Sequence, residues 1–335
     1  MLTVGNVHRR TGGYLYHVQV YPLLRELGVY IDEIILSAAD VISQRTAAVT
    51  IRPQDYDAIM VDALARTAVA QYIDNWRTHC PVVAMVHELP SVATGVDAAD
   101  EAPLLRADAL IAVSPDGRQR LCDRGVNAQR IIIASPGCDR LGTPPMHAPV
   151  LPPQLLCVAQ WIYRKGLDTL IAAWQQVAHP TAVLHMYGER DVDLAYTTHI
   201  DALITSAHQA GAQIVVHGSV IDAEIIKAYQ HATLFVLPSR FEGYGMVFAE
   251  ALWAGVPVVA CDAGPLAQLV GDGGVTVPVD DVDALATQLT NLLNQSDHLS
   301  MLAQAAHTRG QQLPRWRDTA QAWQTAIQMA IQMRR

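Results

Sequence analysis

Pro238-Ser239-Arg240-Phe241-Glu242-Gly243-Tyr244-Gly245-Met246-Val247-Phe248-Ala249-Glu250-Ala251-Leu252-Trp253-Ala254-Gly255-Val256-Pro257 is the stretch on which the fold of this chain turns. The apolar run at 234–237 stops at Pro238, where the ring removes a backbone donor. A loop containing Gly243 and Gly245 follows, and the nearly unbroken apolar segment from Met246 to Ala254 predicts a buried helix. Gly255 ends that helix and Pro257 opens the next strand. A helix N-terminus therefore faces outward at the carboxyl end of a strand. Its free N–H groups and dipole suit a phosphate. Glu250 is the anomaly, because a buried carboxylate needs donors. A ribose, with two adjacent hydroxyls, would supply them, and so would nearby backbone or an arginine of the chain itself. Glu242, in the loop, reaches either a ligand whose phosphate docks at Gly245 and Met246 or its neighbour Arg240.

Outward from this stretch, short apolar runs alternate with helical patterns along the whole chain. Strands are predicted at residues 2–7, 30–36, 58–62, 81–87, 109–113 and 130–134, with helices between most of them, among them 14–27 and 64–77. Pro144, Pro145, Pro149, Pro152 and Pro153 then interrupt the pattern. It resumes with strands at 155–159, 182–187, 213–217, 234–237, 257–261 and 275–278. Such alternation predicts parallel βαβ units. The chain thus reads as a bilobed α/β protein: a first domain over 1–145, a proline-rich linker over 146–153, a second domain over 154–315, and a helix over 316–335. In that helix Trp316, Thr319, Ala320, Trp323, Ile327, Ala330 and Ile331 form one apolar stripe, expected to pack back on the protein across the two lobes. An interfacial helix would carry more basic residues on its polar face.

Composition narrows the function. The 335 residues are 51% hydrophobic and 16% charged, with a net charge of −9 and no basic run, which argues against nucleic-acid binding. The five cysteines, Cys80, Cys122, Cys138, Cys157 and Cys261, form no C-x-x-C pair and read as small buried residues in a reducing compartment. With neither a signal pattern nor a long apolar span, the expected location is the cytoplasm.

The quoted stretch resembles the signature of glycosyltransferase family 4, a retaining family with the GT-B fold. Glu242 and Glu250 match its Glu-x7-Glu pattern in a Pro-Ser-x-x-Glu-Gly-x-Gly setting, and Gly255-Val-Pro-Val-Val259 fits as well. Thr11-Gly12-Gly13-Tyr14 resembles the family's glycine loop, and Ala112-Val113-Ser114 and Ser135-Pro-Gly137-Cys-Asp139 resemble further waypoints. Tyr163-Arg164-Lys165-Gly166 lies where the family has a basic loop on the donor diphosphate. Lys165 and Lys227 are the only lysines, so a lysine in this loop points to a compact charge. His87, after a first-domain strand, stands where relatives place a histidine facing the donor sugar. Two positions depart from the family: Gln160, where an arginine is usual, and Gln268, where a glutamate is common.

The resemblance implies two Rossmann-like domains facing a central cleft, and a transfer from a UDP- or GDP-linked hexose to a hydroxyl acceptor. On this reading Glu242, Lys165 and His87 serve the chemistry. The donor is held by Gly12, Gly13, Arg164, Lys165, Gly218, Ser219, Val220, Glu242, Gly243, Tyr244, Gly245, Met246, Val247 and Glu250, with the base near residues 217–220. No cofactor is expected beyond the donor. The Asp191–Asp193 and Asp281–Asp283 pairs read as helix starts, with Asp280 as an N-cap, so no metal is expected either. A lipid acceptor would bring peripheral membrane contact. The alternatives are a GT-B nucleotide-sugar epimerase and a non-catalytic sugar-nucleotide-binding partner subunit. A nicotinamide oxidoreductase would need a Gly-x-Gly-x-x-Gly turn, which Thr11-Gly-Gly-Tyr does not provide.

Overall fold

The structure is a computed structural model that describes residues 1–5, 12–37, 40–93, 95–142, 151–177 and 179–333. Thr11 and linker residues 146–150 lie outside that set. The chain divides into two compact units, one formed by Met1–Gly137 with Pro314–Arg335 and the other by Cys138–Leu313. The boundaries expected from the sequence lie at 145 and 154, with the final helix as a segment of its own, whereas the structure joins that helix to the first unit.

The first unit holds β1 (Leu2–Val4), β2 (Ile34–Leu36), β3 (Ile59–Asp62), β4 (Val82–Val86), β5 (Ala109–Ala112) and β6 (Ile131–Ile133). They form one parallel sheet in the order β2-β1-β3-β4-β5-β6. β3, β4 and β5 are buried along their whole length, as expected of parallel strands covered on both faces. The second unit repeats the design with β7 (Gln154–Val158), β8 (Val183–Tyr187), β9 (Ile214–Gly218), β10 (Leu234–Leu237), β11 (Val258–Cys261) and β12 (Gly274–Val277). Their order is β12-β11-β10-β7-β8-β9. Strand order reverses direction once in each sheet, between β1 and β3 and between β7 and β10. In open parallel sheets ligands sit outside the carboxyl ends of the strands flanking such a reversal.

All twelve expected strands are present. The helices differ in two places. The single helix expected over 64–77 is instead a 3-10 turn, Ala63–Ala65, followed by helices Arg66–Val69 and Ile73–His79. The Asp62 carboxylate accepts from the Leu64 N–H and sets the first turn, and the Tyr72 N–H closes a second onto the Val69 carbonyl. Splitting the helix still buries Ala68, Val69, Ile73 and Trp76, so packing overrides local preference. Asp280 is not the N-cap of Val282–Asn294. Asp281 takes that place, accepting from the Ala284 N–H, while Asp280 has φ 60° and pairs with Arg240.

The helix Trp316–Gln332 packs within the first unit on helix Gly12–Glu26 and on β4, β5 and β6. Trp323 is fully buried there, and its Nε1 donates to the Tyr16 hydroxyl at 2.7 Å. Tyr16 in turn donates to the Ala134 carbonyl at 2.7 Å. Gly137 lies directly beneath the start of this helix: a Cβ there would come within 2.2 Å of the Trp316 backbone nitrogen. Among the described residues no helix is long and apolar enough to cross a membrane.

Candidate active site

In the second unit the loops after β7 and β10 meet at the sheet's reversal point. The turn Tyr163–Lys165 closes on Gly166, which has φ 66° and whose Cβ, if present, would lie 2.1 Å from the Pro238 carbonyl oxygen. Only glycine permits this approach. Gly245 plays the matching part after β10. It opens helix Met246–Trp253 with φ 101°, and a Cβ there would lie 2.8 Å from Leu266 and 2.9 Å from Phe248. No side chain caps this helix, so the N–H groups of Met246 and Val247 precede its first internal bonds. Both residues are half-buried.

The glutamate of that loop is engaged by the basic turn. Lys165 Nζ donates to Glu242 Oε1 at 2.6 Å, Ser239 Oγ donates to the same oxygen at 2.7 Å, and Arg164 stands 3.4 Å from Oε2. Glu242 and Lys165 are both buried, whereas Arg164 is partly open. Burial alone would push the Glu242 carboxyl up, but the charges of Lys165 and Arg164 and the bonds from Lys165 and Ser239 outweigh it and hold the carboxyl below its usual value. Arg240, the alternative partner for Glu242, goes elsewhere. It forms a two-pronged pair with Asp168 at 2.8 and 3.0 Å, contacts Asp280, and stacks on the Tyr163 ring at 4.0 Å. That network fixes the turn from outside and leaves Lys165 and Arg164 to face Glu242.

Glu250 has an internal partner. Its Oε1 receives the Nε and a terminal nitrogen of Arg140, each at 2.9 Å, and the Tyr229 hydroxyl lies 3.2 Å from Oε2. Glu250 is buried at 4% exposure, and the Arg140 side chain at 7%. A carboxylate offers about four acceptor sites. Three donors leave Oε2 able to accept one more.

Gly218 ends β9 with φ 68°, followed by Ser219 and Val220 before helix Asp222–His231. Between this helix and the sheet lies a cavity of about 400 Å³, whose lining includes Gln154, His185, Tyr187, His217, Glu224 and Lys227. His217 stacks on Tyr187 with ring centres 4.1 Å apart and bonds His185 at 2.9 Å. Gly243 is half-buried; Tyr244 is buried, and its hydroxyl has no hydrogen-bond partner among the described residues. Of the two departures, Gln160 donates to Glu189 Oε2 at 2.7 Å, and Gln268 is exposed with its carbonyl on Arg309.

The first unit brings a separate group together at its own reversal point. Gly12 and Gly13 open helix Gly12–Glu26, and a Cβ on Gly13 would sit 3.8 Å from the His87 ring. His87 follows β4. Its Nε2 is 3.4 Å from Asp62 Oδ2, at the end of β3, and 3.3 Å from His17 Nε2. His17 is 3.5 Å from the same Asp62 oxygen. Burial is the largest influence on His17 and pushes it down to about 4 despite the nearby Asp62 charge, so the ring is neutral near pH 7. The Asp62 carboxyl is raised by burial but held below its ordinary value by His87, His17 and the Leu64 N–H.

Sequence reasoning missed His17, Asp62, Arg140, Tyr229 and Ser239. Two of these left a signal. His17 interrupts the buried stripe of Tyr16, Val20 and Leu24, and Asp62 closes an otherwise apolar strand.

Residues 152–295 match the family model described as Glycosyl transferases group 1. Over 164 residues the chain is 32% identical to the glycogen synthase of Mycobacterium tuberculosis, a match covering 47% of this chain and 38% of that protein. The chain thus spans about two fifths of the length of that curated relative. The structure of sucrose-phosphate synthase from Thermosynechococcus elongatus aligns with a TM-score of 0.80 at 20% identity over 97% of each chain. Anabaena HepE in complex with UDP-glucose aligns with a TM-score of 0.79 at 18% identity, over 97% of this chain and 98% of that one. At such identities the likeness carries the fold: two Rossmann-like units of the GT-B class.

Proposed function

We propose that this chain is a glycosyltransferase that moves a hexose from a uridine- or guanosine-diphosphate sugar to a hydroxyl acceptor, with retention of anomeric configuration. The observation that carries the reading is the meeting of Arg164, Lys165 and Glu242 with the uncapped helix N-terminus at Gly245, at the reversal point of the second sheet. Transfer breaks the bond between the anomeric carbon and a phosphate oxygen, and negative charge grows on the departing diphosphate. Lys165, Arg164 and the N–H groups of Met246 and Val247 are fixed donors for that charge, so they act without reorganising. No metal is assigned to the diphosphate.

Glu242 holds the Lys165 ammonium in place and turns its remaining lone pairs to the sugar hydroxyls. Glu250 accepts from one ribose hydroxyl on Oε2 while Arg140 occupies Oε1. The base lies near residues 217–220, beside Gly218 and Ser219. The first unit is assigned the acceptor side of the reaction, with Gly12 and Gly13 kept as donor-binding residues and His87 as a residue of the chemistry. Retention rests on the likeness of the Glu242–Glu250 stretch to family 4, and the location remains cytoplasmic in this reading.

The test is thermal-shift binding against nucleoside diphosphates and their hexose conjugates, each compared with ligand-free protein at the same EDTA concentration. Product anomers are then assigned by NMR. A ligand at a hundredfold excess over Kd adds about 2.7 kcal/mol. Stabilisation by one nucleotide, intact in EDTA and lost in Lys165→Ala, supports the site. An epimerised sugar released without acceptor, or no response to any nucleotide, refutes the transfer reading.

A further inference from the structure

We infer that His17, His87 and Asp62 form a zinc-binding site at the reversal point of the first sheet. The three ligand atoms, Nε2, Nε2 and Oδ2, make a nearly equilateral triangle with edges of 3.3, 3.4 and 3.5 Å. Ligands at zinc's bond lengths of about 2.0–2.2 Å stand about 3.3–3.6 Å apart in a tetrahedron. At the right angles of an octahedral site the same bonds would bring them to about 2.8–3.1 Å. The observed edges fit the tetrahedron on all three sides.

Hydrogen bonding among the three groups accounts for this arrangement less well. Two imidazole nitrogens lie 3.4 and 3.5 Å from one carboxylate oxygen, whereas charge-assisted bonds run at about 2.7–2.9 Å. The two nitrogens also face each other at 3.3 Å, where at most one can donate to the other. A shared cation satisfies all three lone pairs at once.

Of the three ligands the backbone orients Asp62, while the buried His17 Nδ1 has no hydrogen-bond partner among the described residues. Asp62 Oδ1 accepts from the Leu64 N–H at 2.8 Å, which turns Oδ2 towards the two rings. Tyr21 stacks on His17 with ring centres 5.5 Å apart, and Tyr16 meets His87 edge-on at 5.2 Å. Side-chain exposure is 3% for His17 and 2% for Asp62 but 20% for His87, so the fourth coordination position opens on the His87 side. Three protein ligands with one open position are the pattern of sites that also take water or a substrate oxygen. This site is built from first-unit residues alone and needs no nucleotide.

The experiment uses the full chain, stripped with EDTA, and titrates it calorimetrically with zinc alone, then with cobalt while recording visible absorption. One equivalent of zinc and the intense absorption of four-coordinate cobalt are expected. Loss of an outer partner typically lowers metal affinity about 10–100-fold, so His87→Ala, which removes a ligand, should lower it by at least about 100-fold. Circular dichroism checks that this variant folds. If it does not, the cobalt spectrum of the native chain decides. No stoichiometric zinc, a weak six-coordinate cobalt spectrum, or unchanged zinc affinity in folded His87→Ala would each overturn the assignment.

Discussion

The Lys165–Glu242 pair offers the sharpest test of the second unit, because one pair of substitutions separates its structural role from its chemical one. At 2.6 Å and an effective dielectric of about 20, the gross attraction is about 6 kcal/mol. Desolvating two buried ions offsets much of this, whereas removing a single partner costs about 3–5 kcal/mol. Lys165→Met should fall at the low end, since Glu242 keeps Ser239 and the more distant Arg164. Glu242→Gln should fall at the high end, since Lys165 loses its closest carboxylate. If the two side chains act as a unit, the double variant loses about 2–3 kcal/mol less than the sum of the singles. Urea unfolding monitored at constant m value measures all three. Glycosyl transfer should be absent from all three variants, including the double one whose stability is partly restored. Additivity within about 0.5 kcal/mol would refute the coupling, and transfer activity in the double variant would refute the chemical role.

Three further outcomes follow from the same geometry. Gly245→Ala forces a Cβ onto Leu266 and Phe248 at positive φ, and should destabilise by about 1–3 kcal/mol in urea while weakening nucleotide-induced thermal shifts. Trp323→Ala should cost about 3–5 kcal/mol by opening a cavity, but Trp323→Phe only about 0.5–1.5 kcal/mol for the bond to Tyr16, as read by chemical denaturation. Asp168 is pushed up by burial but held lower overall by Arg240 and Tyr196, so its folded value lies below its unfolded one. Its contribution is complete above about pH 4, the unfolded value, and fades as pH falls through the folded one. Melting temperature should therefore drop more steeply below about pH 4 in the wild-type chain than in Asp168→Asn.

The strands were legible because each is a short, β-rich apolar run closed by turn residues, and parallel burial leaves that pattern uninterrupted. The loops after β7 and β10 were legible for a related reason. Glycine, proline and a rare lysine stand at positions whose backbone or charge demands them, as Gly166 and Gly245 show. The partner of Glu250 was not legible. Arg140 lies 110 residues earlier, and no local pattern binds the two. Of the partners open from sequence, a ribose, nearby backbone or an arginine, the structure shows an arginine and leaves one acceptor position to spare. The break at residues 70–72 was invisible for a third reason: it contains no glycine or proline, and only the packing of Ile73 and Trp76 requires it. His17 was hidden by its stripe, where a histidine reads as one more core residue until Asp62 and His87 are seen beside it.

The discontinuity of the first unit bears on how the protein is made. Its core residue Tyr16 is sealed by Trp323, yet the whole second unit, Cys138–Leu313, stands between Gly137 and Pro314 in the chain. At ribosomal speeds of about 5–20 residues per second, the amino-terminal part waits roughly 9–35 s for that helix to emerge. During that interval the second unit can reach its native state while the first has its strands but not the helix that covers them. Nascent chains of this protein should be open to chaperones, and to proteolysis near Tyr16, until the last tryptophan leaves the exit tunnel.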